Sequence, residues 1–196
     1  MKYERWLIPE TDDAAVEALM DAGYPYLVST VLASRGVVTP EQAAAHLDRE
    51  RSLVYSPFLM RDMDKAVARI DPALAGGETI AVFGDYDVDG ITSVALVYRY
   101  LQNYYSNVEY YIPTRYEEGY GVSDKSIDFA ASLGVSLIIV LDCGIKAVEE
   151  IEYAKSKGID FIICDHHVPD DRLPDAVAIL NPKLEGNPYP FKHLSG

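Results

Sequence analysis

From Glu78 onward, short apolar runs alternate with stretches of helical periodicity. Residues 79–83, 107–112, 135–141 and 159–164 read as strands, with a candidate fifth at 176–180. Between them, residues 91–105 carry Val94, Val97 and Leu101 at helical spacing, a stretch capped by Ser123 runs to Leu133 before Gly134, and residues 146–157 end at Gly158. Largely apolar strands separated by helices of about a dozen residues predict a parallel sheet covered by helices on both faces, an α/β fold of Rossmann-like type. In such sheets ligands bind beyond the carboxyl ends of the strands.

The first seventy or so residues follow a different pattern. Carboxylates in a first turn followed by alanines predict a helix over 12–20, punctuated by Gly23 and Pro25. A second helix is expected over 26–34 and stopped at Arg35-Gly36; a third is expected over 41–47, opened by Thr39, Pro40 and a capping-box-like Gln42. Met63, Val67 and Ile70 predict a fourth that leads to Pro72 and Gly76-Gly77. The expected division is therefore a small helical module, 1–75, followed by an α/β domain, 76–196.

Charge sharpens the picture. The chain of 196 residues has a formal net charge of −14, and from Glu78 onward there are 9 basic and 19 acidic residues. Nucleic-acid affinity rests on clustered Lys and Arg, so this balance argues against a large phosphate-binding surface and suits a site loaded with cations. No apolar run approaches the roughly 20 residues of a membrane span, and Met1 to Trp6 are not followed by a signal-type apolar core, so a cytoplasmic protein without membrane contact is expected. Cys143 and Cys164 each follow an apolar run and read as reduced, small core residues rather than a disulfide scaffold.

The chemistry concentrates where strands end. After residues 80–83 and Gly84 come Asp85, Asp87 and Asp89 at alternate positions, then Gly90 and a helical run. Carboxylates so spaced repel one another, and a divalent cation is the simplest way to offset them. A calcium helix-loop-helix loop also opens with this pattern, but its position-twelve glutamate is Leu96 here and a strand precedes it. Asp87-Val88-Asp89 would also serve an aspartyl-phosphate phosphatase, and a solvated acidic turn is the bland alternative. Two further strand ends decide among these: Leu141-Asp142-Cys143-Gly144 and Cys164-Asp165-His166-His167. Asp142 taken alone could cap the next helix. Three strand ends bearing carboxylate and imidazole would line one crevice, and oxygen-rich ligation with one imidazole suits manganese or magnesium more than zinc.

Asp85-Tyr86-Asp87-Val88-Asp89-Gly90, Asp142-Cys143-Gly144 and Asp165-His166-His167 resemble the first three motifs of the DHH phosphoesterases. The resemblance is strongest to the family's bacterial single-strand-specific 5′-to-3′ DNA exonucleases, and it extends over 35–41, 57–63, 115–121 and 194–196. It implies two Mn2+ or Mg2+ ions, with Asp87 and Asp89 each binding one, Asp142 bridging, His166 completing the second and Asp85 ligating the first. Asp142, Asp165, His166 and His167 would form the catalytic group. His167 would contact the scissile phosphate, Asp165 would orient a histidine, and Arg115 and Tyr120 are candidate substrate contacts. Two ions close together would ionise a water between them and neutralise charge on an in-line transition state. Single-stranded DNA is the implied substrate, in repair and recombination, with a single-strand-binding protein or a helicase as implied partners. The family continues past the segment at 194–196 with a fourth motif and a second domain, so the chain is expected to be an amino-terminal fragment, weak in metal binding and inactive alone. Phosphodiesterases acting on short oligonucleotides or cyclic dinucleotides, or a non-catalytic scaffold, are the alternatives within the family.

Overall fold

The computed structural model describes residues 10–47 and 54–196; the first nine residues, part of the stretch read above for a signal core, lie outside them. Two compact units divide at Val54 and Tyr55. In the first, α1 (Asp13–Asp21) begins where the Asp12 carboxylate accepts from the amides of Ala14 and Ala15 at 3.0 and 3.4 Å. It packs with α2 (Tyr26–Ser34) and α3 (Pro40–Leu47) around Leu19, Leu32 and Ala43. The expected reciprocal cap is present: Gln42 Oε1 accepts from the amides of Val38 and Thr39, and Thr39 Oγ1 accepts from the Gln42 amide.

In the second unit five parallel strands are ordered β2-β1-β3-β4-β5: β1 (Thr79–Gly84), β2 (Val108–Tyr111), β3 (Val135–Leu141), β4 (Asp160–Cys164) and β5 (Ala178–Leu180). Strand residues alternate between two cores, as the two-residue period of a strand requires. Ala81, Phe83, Ile138, Val140, Phe161 and Ile163 face a core shared with α6 (Asp124–Ser132) and α7 (Val148–Ser156). Ile80, Val82, Leu137, Ile139 and Ile162 face one shared with α4 (Met63–Gly76) and α5 (Val88–Gln102). Each such isoleucine contributes about 1.5–3 kcal/mol by leaving water.

Two local expectations change. Pro72 lies inside α4, which runs on to Gly76; its missing amide costs one bond but does not end the helix. Ala66 and Ala73 of α4 are buried in the sheet core, so this helix belongs with the second unit, and the observed boundary falls ahead of residue 75. Among the described residues no helix is long and apolar enough to cross a membrane. Both cysteines are free; Cys143 is buried, and Cys164 is only partly so at its surface.

The chain order places a reversal between β1 and β3, because β2 lies on one side of β1 and β3 on the other. That is the position where α/β sheets open a crevice at their carboxyl ends.

Candidate metal centre

Register brings the candidates together. Gly84 pairs with Leu141, and Leu141 with Cys164. Asp85, Asp142 and Asp165 are each the next residue, so three aspartates stand side by side where three adjacent strands stop.

Asp85 is buried, and neither of its carboxylate oxygens has a hydrogen-bond partner among the described residues. The first turn of α5 presses on its backbone: a Cβ on Gly90 would lie 2.4 Å from the Asp85 carbonyl oxygen. The helix starts at Val88 rather than 91, because Asp87 Oδ1 accepts from the Gly90 amide at 3.0 Å and serves as the N-cap. That amide is the main reason the Asp87 carboxyl lies below its ordinary range. Asp89 therefore sits in the first turn of a helix, not in a loop as its glycine-bounded setting suggested.

Asp142 does not cap α7, whose N-cap is Ala147. Its backbone adopts φ 61°, one of two positive-φ non-glycine residues described. Its amide donates to the Cys164 carbonyl at 2.8 Å. Its Oδ1 lies 3.0 Å from His166 Nε2, which is 3.6 Å from Asp89 Oδ2. Burial first, and the nearby charges of Asp89 and Asp87 next, push the Asp142 carboxyl up to about 6.

Asp165 is the opposite case, a buried carboxylate fully supplied with donors. Its Oδ1 accepts from the amides of His166 and His167 and lies 2.7 Å from His167 Nδ1; Oδ2 accepts from the Ile145 amide at 2.9 Å. The imidazole of His167 is thereby oriented with Nδ1 toward Asp165, while Nε2 lies 3.3 Å from the Tyr120 hydroxyl. Buried Asn181 donates to the His167 carbonyl at 2.9 Å. It follows β5 as the aspartates follow their strands, which is the sequence signal that could have found it.

Asp142, His166 and His167 can offer ligand atoms within 4.8 Å of one another. His167 thus joins a cation-capable group from which sequence reasoning had left it out. Gly196 arrives too: its amide donates to Asp89 Oδ2 at 2.9 Å, a contact across 107 positions that nothing local foretells. A cleft of about 240 Å3 beside His167 is lined by Tyr120, Gly121, Gly144, Lys146 and Glu150, among others. Arg115 is not among the carboxylates; its guanidinium lies 5.3 Å from the centre of the Tyr86 ring. The Tyr120 hydroxyl donates to the Asp142 carbonyl at 3.0 Å.

The donors fit a divalent cation on the structure's own terms. A buried carboxylate without a hydrogen-bond partner costs several kcal/mol unless something neutralises it, and hard oxygen ligands with an imidazole suit Mn2+ or Mg2+. Fold and site together define a parallel α/β protein with a candidate cation centre at the ends of its strands.

The chain belongs to the DHH family: the profile of the DHH family N-terminal domain matches residues 79–189. It is 42% identical over 193 residues to the single-stranded-DNA-specific exonuclease RecJ of Bacillus subtilis (strain 168), covering 98% of this chain and 25% of that protein. It is 38% identical over 197 residues to RecJ of Escherichia coli (strain K12), covering 100% of this chain and 32% of that one. A crystal structure of exonuclease RecJ bound to manganese superposes with a TM-score of 0.62 at 31% identity, covering 68% of this chain and 34% of its own. The chain thus spans about a quarter to a third of the length of the curated relatives it matches.

Proposed function

We propose that this chain carries the metal-holding part of a single-strand-specific DNA exonuclease that hydrolyses phosphodiester bonds from the 5′ end in DNA repair and recombination. The observation that carries the reading is buried, unpartnered Asp85 standing beside Asp142 and Asp165 at three adjoining strand ends. The family and the named activity of the relatives support it.

In this reading Asp85, Asp87, Asp89, Asp142 and His166 would hold two Mn2+ or Mg2+ ions, Asp142 serving as the ligand common to both. When bound, the ions supply an ionised water near neutral pH and offset charge on the phosphoryl oxygens. His166 is drawn toward Asp142 and Asp89 and completes the ligand set. Asp165 fixes His167 through Nδ1, so that Nε2, when protonated, donates to a phosphoryl oxygen of a strand lying in the adjoining cleft. Tyr120, which lines that cleft, and Arg115, which lies against the Tyr86 ring, are further candidate substrate contacts. The chain acts in the cytoplasm, where a single-strand-binding protein or a helicase would present the strand. The helical unit up to Val54 precedes the catalytic domain along the chain.

The test is digestion of 5′-labelled and 3′-labelled single strands, duplex and dinucleotide by the full-length natural protein with Mn2+, and again after chelation. Release from the 5′ end of single strands alone is expected, with Asp142→Ala lowering the rate at least about 1,000-fold, as removal of a bridging ligand should. Parent-like activity of Asp142→Ala, or preference for dinucleotides, would refute the assignment.

A further inference from the structure

Asp142 owes its position to a backbone conformation that it does not favour. A non-glycine residue at positive φ costs about 1 kcal/mol or more, and such strain persists where the surroundings hold it. Here φ 61° turns the chain sharply after β3 and sends the carboxylate toward His166 and Asp89. One side of the Asp142 residue is anchored by the sheet, through its amide and the Cys164 carbonyl. The carbonyl side is anchored from outside the sheet, by the Tyr120 hydroxyl at 3.0 Å.

Tyr120 is itself aimed. It lies between Gly119 and Gly121, both at positive φ, 81° and 84°. One residue earlier, the Glu118 carboxylate pins the loop: Oε2 accepts from Tyr111 Oη at 2.6 Å and Ser123 Oγ at 3.1 Å, and Oε1 from the Thr114 amide at 3.2 Å. The Tyr120 ring meets Tyr86 and His167 edge-on, with centroids 6.3 and 5.9 Å apart. About half of the residue is exposed, yet its hydroxyl turns inward, donating to the Asp142 carbonyl and lying 3.4 and 3.3 Å from the His167 Nδ1 and Nε2.

We propose that Tyr120 is a positioning residue of the cation centre: its hydroxyl, held by the loop pinned at Glu118, locks the Asp142 peptide in the left-handed conformation that presents the Asp142 carboxylate. This rests on the reading of Asp142 as a metal ligand, and it assigns Tyr120 a role independent of any contact with DNA. Tyr120→Phe removes the hydroxyl and keeps the ring.

The experiment follows Mn2+ uptake by electron paramagnetic resonance in the full-length protein and compares crystal structures of the metal-free parent and Tyr120→Phe. Tyr120→Phe should bind Mn2+ about 10-fold more weakly, the size of loss seen when a partner behind a metal ligand is removed. Its melting temperature without metal should be unchanged, and Asp142 should leave positive φ. Glu118→Gln, which weakens the pin without touching Tyr120, should shift Mn2+ affinity in the same direction by less. Parent-like Mn2+ affinity in Tyr120→Phe, or weaker affinity with Asp142 unmoved, would overturn the proposal. A parent protein that takes up no Mn2+ would sink the metal centre itself, and this inference with it.

Discussion

At the amino ends of the strands, the carboxylates of Glu78 and Asp160 meet the Arg69 guanidinium, which donates to both oxygens of Glu78, at 3.2 and 2.7 Å, and to Asp160 at 2.7 Å. Ser136 Oγ also donates to Glu78. At the carboxyl ends, Asp85, Asp87, Asp89 and Asp142 form no ion pair with any lysine or arginine among the described residues. Both ends of one sheet gather acid, yet only one of them carries its own cation. The carboxylates at the carboxyl ends are thus the ones with no lysine or arginine to offset them, a contrast that a cation from solution would resolve.

The comparison breaks most severely at Asp85. Asp85→Asn keeps the shape and removes the charge, so the metal-free protein should gain about 1–2 kcal/mol through relief of a buried, unpartnered carboxylate. Mn2+ affinity should fall by about 100-fold or more, the loss expected when a charged ligand of a hard cation becomes neutral. Thermal melting with and without Mn2+ checks both halves: the variant should melt higher than the parent without metal, and its melting point should not rise when Mn2+ is added. A variant that is less stable without metal would mean that Asp85 is a structural residue with a partner inside the protein.

Much of this site was legible because each aspartate directly follows an apolar run, and a strand that stops at a polar residue puts it at the sheet's end. Asp142 and Asp165 could be placed that way from sequence alone, and parallel register did the rest. Asp87 and Asp89 were legible as chemistry and misread as geometry. An aspartate that caps a helix and one that binds a cation look alike along the chain, and the Gly90 amide that Asp87 accepts lies in what seemed a loop. Pro72 and the alanines of α4 show the same limit from another side, since burial of Ala66 and Ala73 depends on a sheet far along the chain. The contacts of Tyr120 with the Asp142 carbonyl and of Gly196 with Asp89 were out of reach, because their partners lie 22 and 107 positions away, whereas Asn181 carried the unused signal of directly following a strand.

The other end should respond in the opposite sense. Arg69→Met leaves two carboxylates without their cation and should cost about 1–2 kcal/mol, discounted because Asp160 is partly exposed. The stabilisation that Mn2+ confers, read as the difference in melting temperature, should be the same as in the parent. A loss of Mn2+ binding in Arg69→Met would show that the two ends are coupled through the strands, and the comparison would fail.

Glu78→Gln makes the smallest change and the most specific one. Hydrogen bonds from Arg69 first and Ser136 next hold the Glu78 carboxyl below its ordinary value of 4.5. A carboxyl whose value is lowered by folding stabilises the protein above its unfolded value, and that contribution is lost as pH falls through the folded one. At pH 7 the variant should therefore be less stable than the parent by about 1 kcal/mol. The gap should narrow as pH drops below the ordinary carboxylate range, where the parent's Glu78 takes up its proton and comes to resemble the amide. Denaturant melts of parent and variant at pH 7 and at successively lower pH read the difference directly. A gap that stays constant over that range would mean that Glu78 acts through packing or through Ser136 alone, and that the charge of Arg69 is not what makes this end of the sheet self-sufficient.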